Sequence, residues 1–596
     1  FKKTFRIKKE NLVRARLYIT ACGLYETKIN GTKVGDAVLT PGSTAFQKRV
    51  HYQTYDVTDL LKDENVWTME LADGFYASAT GVFDSTKVYG YEPKLMAQME
   101  VFYQSGEHEV FVSDASMQWS NDGSIRYADM KNGERIDLGR SPSYSGRARV
   151  TSYEGMVCAS NNDAAKEHEK FSNPTIVHCP DGHTVLDFGQ NIAGILAFTV
   201  KNAKAGQRIF LRFGELMKDG EFTQKNIQCA RGEFKTPLQQ VEYFCKEGRN
   251  EYKTTFAIFG YQYIEVEADC PIDPTNFKAI AVYSDFETTF TFDSSNALLN
   301  QFVKNTLWSL KNNSADLPTD CPTRERHGWS GDAQIFVNTA SYMVNYAPFA
   351  LKYENDLCDW QDKSGNFPQI APEGGTDFYM RVMNGSVGWS DAGILIPYRL
   401  WKMFGDDRMI SDYYDNMRRY AKYMIGRTGK TEPFISEHTG LSAKEKKYLY
   451  NYGQHYGEWA EPKDVKTMTW KDFATSRPEE ATAYLSYVMG LMTEIAAYLR
   501  KTEDIPLYEE YRDGAKRTYQ KLVHLPKYSL DTDRQARLVR PLYFGLLDEK
   551  DTVYAKKRLI QSAETSPISS TSCNSSMLAC ISVSIFCIFF MIVLAA

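Results

Sequence analysis

The stretch DCPTRERHGWSGDAQ, from Asp320 to Gln334, contains residue types that carbohydrate chemistry requires. Thirteen positions hold Asp320, Arg324, Glu325, Arg326, Trp329 and Asp332, and they are interrupted by Pro322, Gly328 and Gly331. Carboxylates and guanidinium groups can pair with sugar hydroxyls, while an indole stacks on the apolar face of the ring. A carboxyl group can also donate a proton to a leaving oxygen. The stretch therefore predicts a sugar site, and a surface loop with an Arg–carboxylate network is the alternative.

Two later loops combine tryptophan with glycine and a carboxylate. Trp389 lies in GWSDAG, beside Asp391, and Trp459 lies in YGEWAEP, beside Glu458. Glycine-rich loops with aromatic and acidic side chains are typical of binding sites. A single tryptophan is more often part of a core, and that interpretation stays open for both residues.

The elements that must position these loops begin with two β regions. Residues 1–150 show alternating strands, with Asn30-Gly31 as a hairpin turn within ARLYITACGLYETKINGTKVG. Residues 151–291 continue in the same way. There, TVLDFGQNIAGILAFTV predicts a strand, a polar turn at Gly189–Asn191 and a second strand. These patterns are typical of jelly-roll or lectin-like sandwiches.

The periodicity becomes helical near Asp293. Apolar residues recur at helical spacing at Leu298, Phe302, Leu307 and Leu310. Roughly nine helices alternate with long loops, which is the arrangement around the cleft of an (α/α)6 toroid. Predicted helices start near residues 330, 348, 389, 408, 479, 506 and 532.

These motifs resemble bacterial α-L-rhamnosidases of glycoside hydrolase family 78. The stretch from Asp320 matches the family's catalytic loop, D-C-P-x-R-(x)-E-R-x-G-W-x-G-D-A-Q, at nearly every fixed position. The run ARLYIT…GLYE…NG…YQTYDVTDLL, then DFGQNIAG and FGYQYIEV, occur in the family's order. The similarity covers most of residues 1–563.

The resemblance implies a multidomain β + α fold. Two N-terminal β-sandwich domains, at 1–150 and 151–291, would precede an (α/α)6 helical toroid at 292–563 that is incomplete at its C-terminus. A Ser-rich and hydrophobic tail at 564–596 is foreign to the family pattern. The implied reaction is release of terminal α-L-rhamnose by an inverting general acid/base mechanism, from glycosides or plant polysaccharides.

The resemblance also implies roles for individual residues. Glu325 would be the general acid, and Asp320, Arg324 and Asp332 would contact sugar hydroxyls. The walls of the rhamnose pocket would be Trp329, Trp389 and Trp459. Asp332 also suits the first turn of a helix capped by Ser330, and both interpretations can hold together.

The sequence departs from the family at the general base. The family carries this Glu in a motif of the kind T-x-W-E-R-W, which does not occur in these 596 residues. Glu458 and Glu373 are substitutes in principle. An inverting hydrolase needs a base that activates water. A truncated, non-catalytic relative that at most binds carbohydrate is therefore the second hypothesis. A different (α/α)6 sugar enzyme is the third.

Composition and residue spacing indicate which kinds of partner and cofactor to expect. With 24% charged residues, a net charge of −5 and no basic block, the chain shows no sign of nucleic-acid binding. The absence of C-x-x-C pairs, and of metal-ligand spacing around His327 and His455, predicts no metal site. We expect no cofactor, free thiols, and a packing role for Cys321 beneath its loop. Oligomeric state stays open.

The segment Met577–Ala596 contains twenty uncharged, mostly apolar residues. That length suffices to span a bilayer at about 1.5 Å rise per residue. A tail anchor, a lipid-anchor signal and translation in a wrong frame are the three interpretations. Localisation therefore stays open; the resemblance is compatible with cytoplasmic, periplasmic and secreted proteins.

Overall fold

The computed structural model describes residues 1–81, 85–228, 235–375, 381–457 and 475–565, which form two compact units. The β unit contains Phe1–Glu287, Phe292–His327 and Pro372–Gly375. The helical unit contains Thr288–Thr291, Gly328–Ala371 and the described part of Thr376–Ala596. The predicted order, β-rich regions followed by helices, is confirmed. The domain limits at 150, 291 and 563 stay predictions.

A six-stranded and a five-stranded sheet at the start of the β unit pack face to face over one core, which includes Leu17, Trp67 and Met99. In Leu12–Cys22, Ala15, Leu17 and Ile19 are buried, as the two-residue period of a strand requires. These two sheets form the first sandwich. The strands of the six-stranded sheet are ordered Gly146–Arg147, Gln118–Trp119, Lys2–Arg6, Glu64–Ala72, Leu24–Ile29 and Thr32–Lys33. The strands of the five-stranded sheet are ordered Met156–Ala159, Arg49–Asp56, Leu12–Cys22, Lys94–Tyr103 and His108–Val112.

The predicted hairpin turn at Asn30-Gly31 is confirmed. Leu24–Ile29 pairs antiparallel with Thr32–Lys33 across these two residues. Asn30 has φ 53° and Gly31 has φ 84°, both in the left-handed region. A two-residue type I′ turn needs positive φ at both central positions, and Asn-Gly meets that need at little steric cost.

A ten-stranded sheet, called the second sheet below, follows in the β unit. Its main path is Ile125–Asp129, Gly133–Asp137, Gln240–Phe244, Arg208–Gly214, Phe259–Ala268, Thr184–Ala203, Phe277–Ser284 and Ala165–Ser172, while Thr175–His178 and Gly248–Lys253 also pair with Thr184–Ala203. The core of this sheet includes Phe213, Tyr243 and Phe259. A separate two-stranded ribbon joins Leu216–Lys218 to Glu221–Thr223.

The turn predicted at Gly189–Asn191 is wrong, because Thr184–Ala203 is one continuous strand. Both of its halves pair with the same neighbour, Phe259–Ala268, and the register shifts between Asp187 and Ile192. The polar residues therefore form a bulge. Asp187 stabilises it by accepting a hydrogen bond from the N–H of Gly189 at 2.8 Å.

The helical period predicted from Asp293 is confirmed by the helix Ala297–Asn312, which lies in the β unit. Asn296 caps it, accepting hydrogen bonds from the N–H groups of Leu298 and Leu299. The helix packs against the strands Thr184–Ala203 and Phe277–Ser284. The chain then enters the stretch that begins at Asp320.

The described helices of the helical unit are Ser330–Met343, Ala347–Asp359, Ala392–Phe404, Arg408–Ser411, Tyr414–Ile425, Pro478–Tyr498, Ile505–Leu522, Gln535–Tyr543 and Glu549–Thr565. Each predicted start lies within a few residues of an observed one. Pro478–Tyr498 packs on Ile505–Leu522, and Ser330–Met343 packs on Ala392–Phe404. None of the described helices is long and apolar enough to cross a membrane, and Met577–Ala596 lies outside the described residues.

The helix Ala347–Asp359 buries three ionisable side chains. Lys352 and Asp356 pair at 3.1 Å, one helical turn apart. Glu354 is fully buried, and its Oε1 accepts a hydrogen bond from the Cys358 thiol at 3.8 Å. Burial raises the pKa of Glu354 to about 8, because the charged form loses its hydration. The folded protein therefore retains this proton at neutral pH.

We expect Glu354→Gln to be more stable than the wild type at pH 8 by about 1–3 kcal/mol. An unfolded Glu ionises near 4.5, whereas folded Glu354 holds its proton up to about 8. Wild-type stability should therefore fall as pH rises between these values. Glutamine has no proton to lose. Denaturant unfolding at pH 4, 6 and 8 measures the effect, with the exposed Glu503→Gln as control, and equal pH dependence in variant and wild type would contradict it.

Candidate active site

In the β unit, the loop from Asp320 to His327 closes on itself. The N–H of Asp320 donates to the carbonyl of His327 at 3.1 Å, and the N–H of His327 donates to Oδ1 of Asp320 at 3.1 Å. Inside this closure, the N–H of Glu325 donates to the sulfur of Cys321 at 3.2 Å. The packing role predicted for Cys321 is confirmed, and burial holds the pKa of its thiol well above the usual range.

Glu325 lies at the centre of this loop and is only 8% exposed. Nη2 of Arg324 lies 3.4 Å from Oε1 of the carboxylate. Glu325 also lines a cavity of about 60 Å³, together with Lys131, Thr319 and Arg326. Burial on a cavity wall distinguishes this carboxyl from a solvated surface group, and a carboxyl within hydrogen-bond reach of a bound oxygen can transfer a proton.

His327 has a structural role. Its imidazole occupies the space that side chains at Gly81 and Gly374 would fill, since a Cβ at either position would lie within about 2 Å of the ring. Burial lowers the pKa of His327 to about 3, and Lys131 adds to this effect. The ring is therefore neutral at physiological pH and packs the loop against two glycines.

In the helical unit, Trp329 precedes the helix Ser330–Met343 and pairs in a β-bridge with Ile370. The capping role predicted for Ser330 is wrong: Trp329 occupies the N-cap, and Ser330 is the first helical residue. Both the N–H and the hydroxyl of Ser330 donate to the carbonyl of Gln369, so the serine is committed to that strand-like segment. Asp332 does lie in the first turn, where the helix dipole favours a carboxylate.

Three aromatic rings of the helical unit form a cluster. The ring of Tyr456 lies 4.6 Å from that of Trp389 and 6.0 Å from that of Trp329, in the second case edge-on. The Tyr456 hydroxyl donates to Oε1 of Gln369. Gly331 permits close packing, because a Cβ there would lie 2.6 Å from the indole nitrogen of Trp389. The two tryptophans predicted from sequence are thus joined through Tyr456.

Tyr456 was not among the predicted residues. It lies in the same glycine-bounded loop as Trp459, NYGQHYGEW, and that loop was the available signal. With 38 tyrosines in the chain, residue type alone does not distinguish it. Trp459 and Glu458 lie outside the described residues.

The remaining acidic and histidine candidates support loops. Asp391 is fully buried and accepts hydrogen bonds from the N–H of Gly388 at 2.5 Å and the hydroxyl of Tyr420 at 3.0 Å. Burial raises the pKa of Asp391 to about 7. Nδ1 of His455 accepts from the N–H of Val387 at 3.1 Å, and burial lowers the pKa of this histidine to about 3. Both residues order the segment that carries Trp389.

Among the described residues, no group of three or more His, Cys, Asp or Glu side chains is arranged to hold a metal ion.

Glu373, a substitute base in principle, lies in the β unit, and its backbone carbonyl accepts a hydrogen bond from the Tyr89 hydroxyl at 2.6 Å. That contact fixes its backbone.

Three domain models match the chain. The alpha-L-rhamnosidase N-terminal domain matches residues 10–169, and the bacterial alpha-L-rhamnosidase concanavalin-like domain matches residues 177–283. The bacterial alpha-L-rhamnosidase 6 hairpin glycosidase domain matches residues 287–571. β-rich regions followed by a six-hairpin helical domain define the class as a glycoside hydrolase fold. The chain belongs to the bacterial α-L-rhamnosidase family.

Individual relatives are similar over nearly the whole chain. An alpha-L-rhamnosidase of Streptomyces avermitilis is 29% identical over 573 residues, covering 93% of this chain and 51% of the relative. The crystal structure of the Streptomyces avermitilis alpha-L-rhamnosidase complexed with L-rhamnose superposes with a TM-score of 0.82 at 27% sequence identity. The match covers 95% of this chain and 52% of that one. The crystal structure of the native alpha-L-rhamnosidase from Aspergillus terreus superposes with a TM-score of 0.81 at 28% sequence identity, and the match covers 95% of this chain and 64% of that one. The chain thus spans less than two thirds of each.

Proposed function

We propose that this chain releases terminal α-L-rhamnose from rhamnosides, including plant glycosides and polysaccharides, with Glu325 as the general acid. The observation that carries the proposal is the carboxyl of Glu325, which is 8% exposed, flanked by Arg324 and placed on a cavity wall. The names of the similar proteins, and the L-rhamnose bound to one of them, support the substrate class.

In the proposed reaction, Glu325 donates its proton to the glycosidic oxygen as the bond to the anomeric carbon breaks. Water attacks the opposite face, and the anomeric configuration inverts. Protonation lets the aglycone leave as a neutral alcohol, which lowers the barrier for poor leaving groups. The attacking water loses one proton to bulk water or to a base outside the described residues, and Glu325 regains a proton from solvent after the aglycone leaves.

Other residues are proposed to bind the sugar. Arg324, Asp320 and Asp332 would pair with hydroxyls through charge-assisted hydrogen bonds. Asp320 would do so with a carboxylate that also closes the loop at His327. The aromatic cluster, with Trp459, would present ring faces to the apolar side of rhamnose and its methyl group.

The second candidate function is carbohydrate binding without hydrolysis. It is favoured by one observation, that none of the 596 residues forms a T-x-W-E-R-W stretch. Both functions use the same sugar contacts, so turnover separates them.

We expect the chain to release nitrophenol from 4-nitrophenyl α-L-rhamnoside and to leave the matching α-L-fucoside and β-D-glucoside intact. Proton NMR during turnover should show β-L-rhamnose first, because one displacement inverts the α-linkage. Binding of L-rhamnose without turnover would favour the second candidate. Neither binding nor turnover would contradict both.

A further inference from the structure

Arg326, next to Glu325, uses its guanidinium to contact the second sheet and the segments that flank its strands. Nε donates to the carbonyl of Thr323 at 3.1 Å. Nη1 donates to the carbonyls of Met130 at 2.7 Å and Ile258 at 2.6 Å. Nη2 donates to Oε1 of Gln239 at 2.7 Å. One side chain thereby ties the loop to three segments that are distant in sequence.

The backbone of Arg326 needs this anchoring. Its φ of 54° lies in the left-handed region, which is sterically unfavourable for a non-glycine residue. Four hydrogen bonds from a charged group can offset that cost, since hydrogen bonds from charged donors are stronger than those between neutral groups.

The side-chain amide of Gln239, the partner of Arg326, forms hydrogen bonds through both its nitrogen and its oxygen. It is fully buried, and its Nε2 donates to the carbonyls of Phe213 at 3.2 Å and Gly260 at 3.1 Å. Its Oε1 accepts from the N–H of Gly260 at 3.0 Å as well as from Arg326. Gln239 is therefore a fixed acceptor whose position is set by two strands of the second sheet.

The loop also lies directly on Gly260. A Cβ at this glycine would come within 2.4 Å of Cγ2 of Thr323 and 3.0 Å of the carbonyl oxygen of Pro322. Partly buried Glu215 interacts with Thr323 and Arg326 and accepts a hydrogen bond from Asn191 at 3.1 Å. The loop therefore packs against Gly260 of the motif FGYQYIEV, and Asn191 of the motif DFGQN binds Glu215, which interacts with the loop.

We propose that Arg326 is a positioning residue: it anchors the loop to Gln239 and the second sheet and so holds the Glu325 carboxyl in the geometry for proton transfer. The inference rests on the proposed function of Glu325. It gives the second sheet an indirect part in catalysis, through a contact that does not reach the sugar. Loss of the anchor should therefore lower kcat and leave sugar affinity nearly intact, since a misplacement of about 1 Å can cost roughly 10²-fold in rate.

The test uses Arg326→Ala, Arg326→Lys and, as a matched control on the same sheet, the exposed Arg249→Ala. We expect Arg326→Ala to lower kcat on a rhamnoside by about 10–100-fold with KM changed less than about threefold. Millimolar guanidinium chloride should restore part of the rate, whereas NaCl of equal ionic strength should not. Arg326→Lys should retain an intermediate rate, because an ammonium cannot reach all four acceptors.

Hydrogen exchange measured by mass spectrometry separates this inference from the proposed function. In Arg326→Ala, peptides across 318–328 should exchange faster, and guanidinium should slow them again, while peptides of the first sandwich stay unchanged. If the wild type cleaves no rhamnoside, the proposed function fails, and the exchange data alone decide whether the anchor exists. Unchanged exchange at 318–328, unchanged kcat, or a loss that guanidinium does not relieve would each overturn the inference.

Discussion

Glu325→Gln is expected to lower kcat/KM on an alkyl or glycosyl α-L-rhamnoside by about 10²–10⁴-fold, the usual contribution of a general acid. Glutamine keeps the size of the side chain and its contact with Arg324, but it carries no transferable proton. The loss should be much smaller on 4-nitrophenyl α-L-rhamnoside, because nitrophenolate leaves without protonation. The measurement is the ratio of kcat/KM between the two substrates.

A second buried Glu provides the control for this prediction. Glu354→Gln makes the same chemical change at a site that is fully buried, and it should leave the substrate ratio unchanged. Binding of L-rhamnose by Glu325→Gln should stay close to that of the wild type. Equal losses on both substrates, or undiminished turnover of the alkyl rhamnoside, would remove Glu325 from the role of acid.

Trp389→Ala is expected to weaken L-rhamnose binding by about 10–100-fold, which corresponds to loss of an aromatic anchor worth roughly 2 kcal/mol. The indole is partly exposed, packs on Tyr456 at 4.6 Å and lies against Gly331. Titration calorimetry with L-rhamnose measures the change. Trp389→Phe should retain most of the affinity, because a phenyl ring keeps the stacking surface.

Trp119, in the first sandwich, is a matched control for Trp389, since it is also a partly exposed tryptophan, at 38%. Trp119→Ala should leave L-rhamnose affinity unchanged. If Trp389→Ala binds the sugar as the wild type does, Trp389 belongs to the core alone. A similar loss in both variants would indicate a general effect on folding.

Local patterns predicted the elements well. The two-residue alternation of Leu12–Cys22 and the Asn30-Gly31 turn depend on conformational preferences of neighbouring residues, so the sequence contains them directly. The helical period after Asp293 is equally local. The bulge at Gly189 was predicted as a turn because the same residue types serve both, and the pairing with Phe259–Ala268 decides between them.

The candidate site was predicted in part. Residue types identified Glu325, Trp329 and Trp389, and family resemblance supplied their expected roles. Neither identified Tyr456, whose significance comes from ring contacts with residues far away in sequence. The sequence suggested Ser330 as the helix cap, but Trp329 occupies that position. Ser330 instead donates both of its hydrogen bonds to the carbonyl of Gln369.

By itself, the sequence determined the order of β and helical regions, the chemistry available in the stretch from Asp320, and the aromatic loops. Only the tertiary structure decided which of the two arginines that flank Glu325 contacts its carboxylate and which one binds the second sheet. Arg324 and Arg326 have the same side chain and similar neighbours in sequence. Their difference arises from a left-handed backbone and from acceptors at Met130, Gln239 and Ile258. Spacing along the chain does not encode such hydrogen bonds, because folding alone brings those carbonyls together.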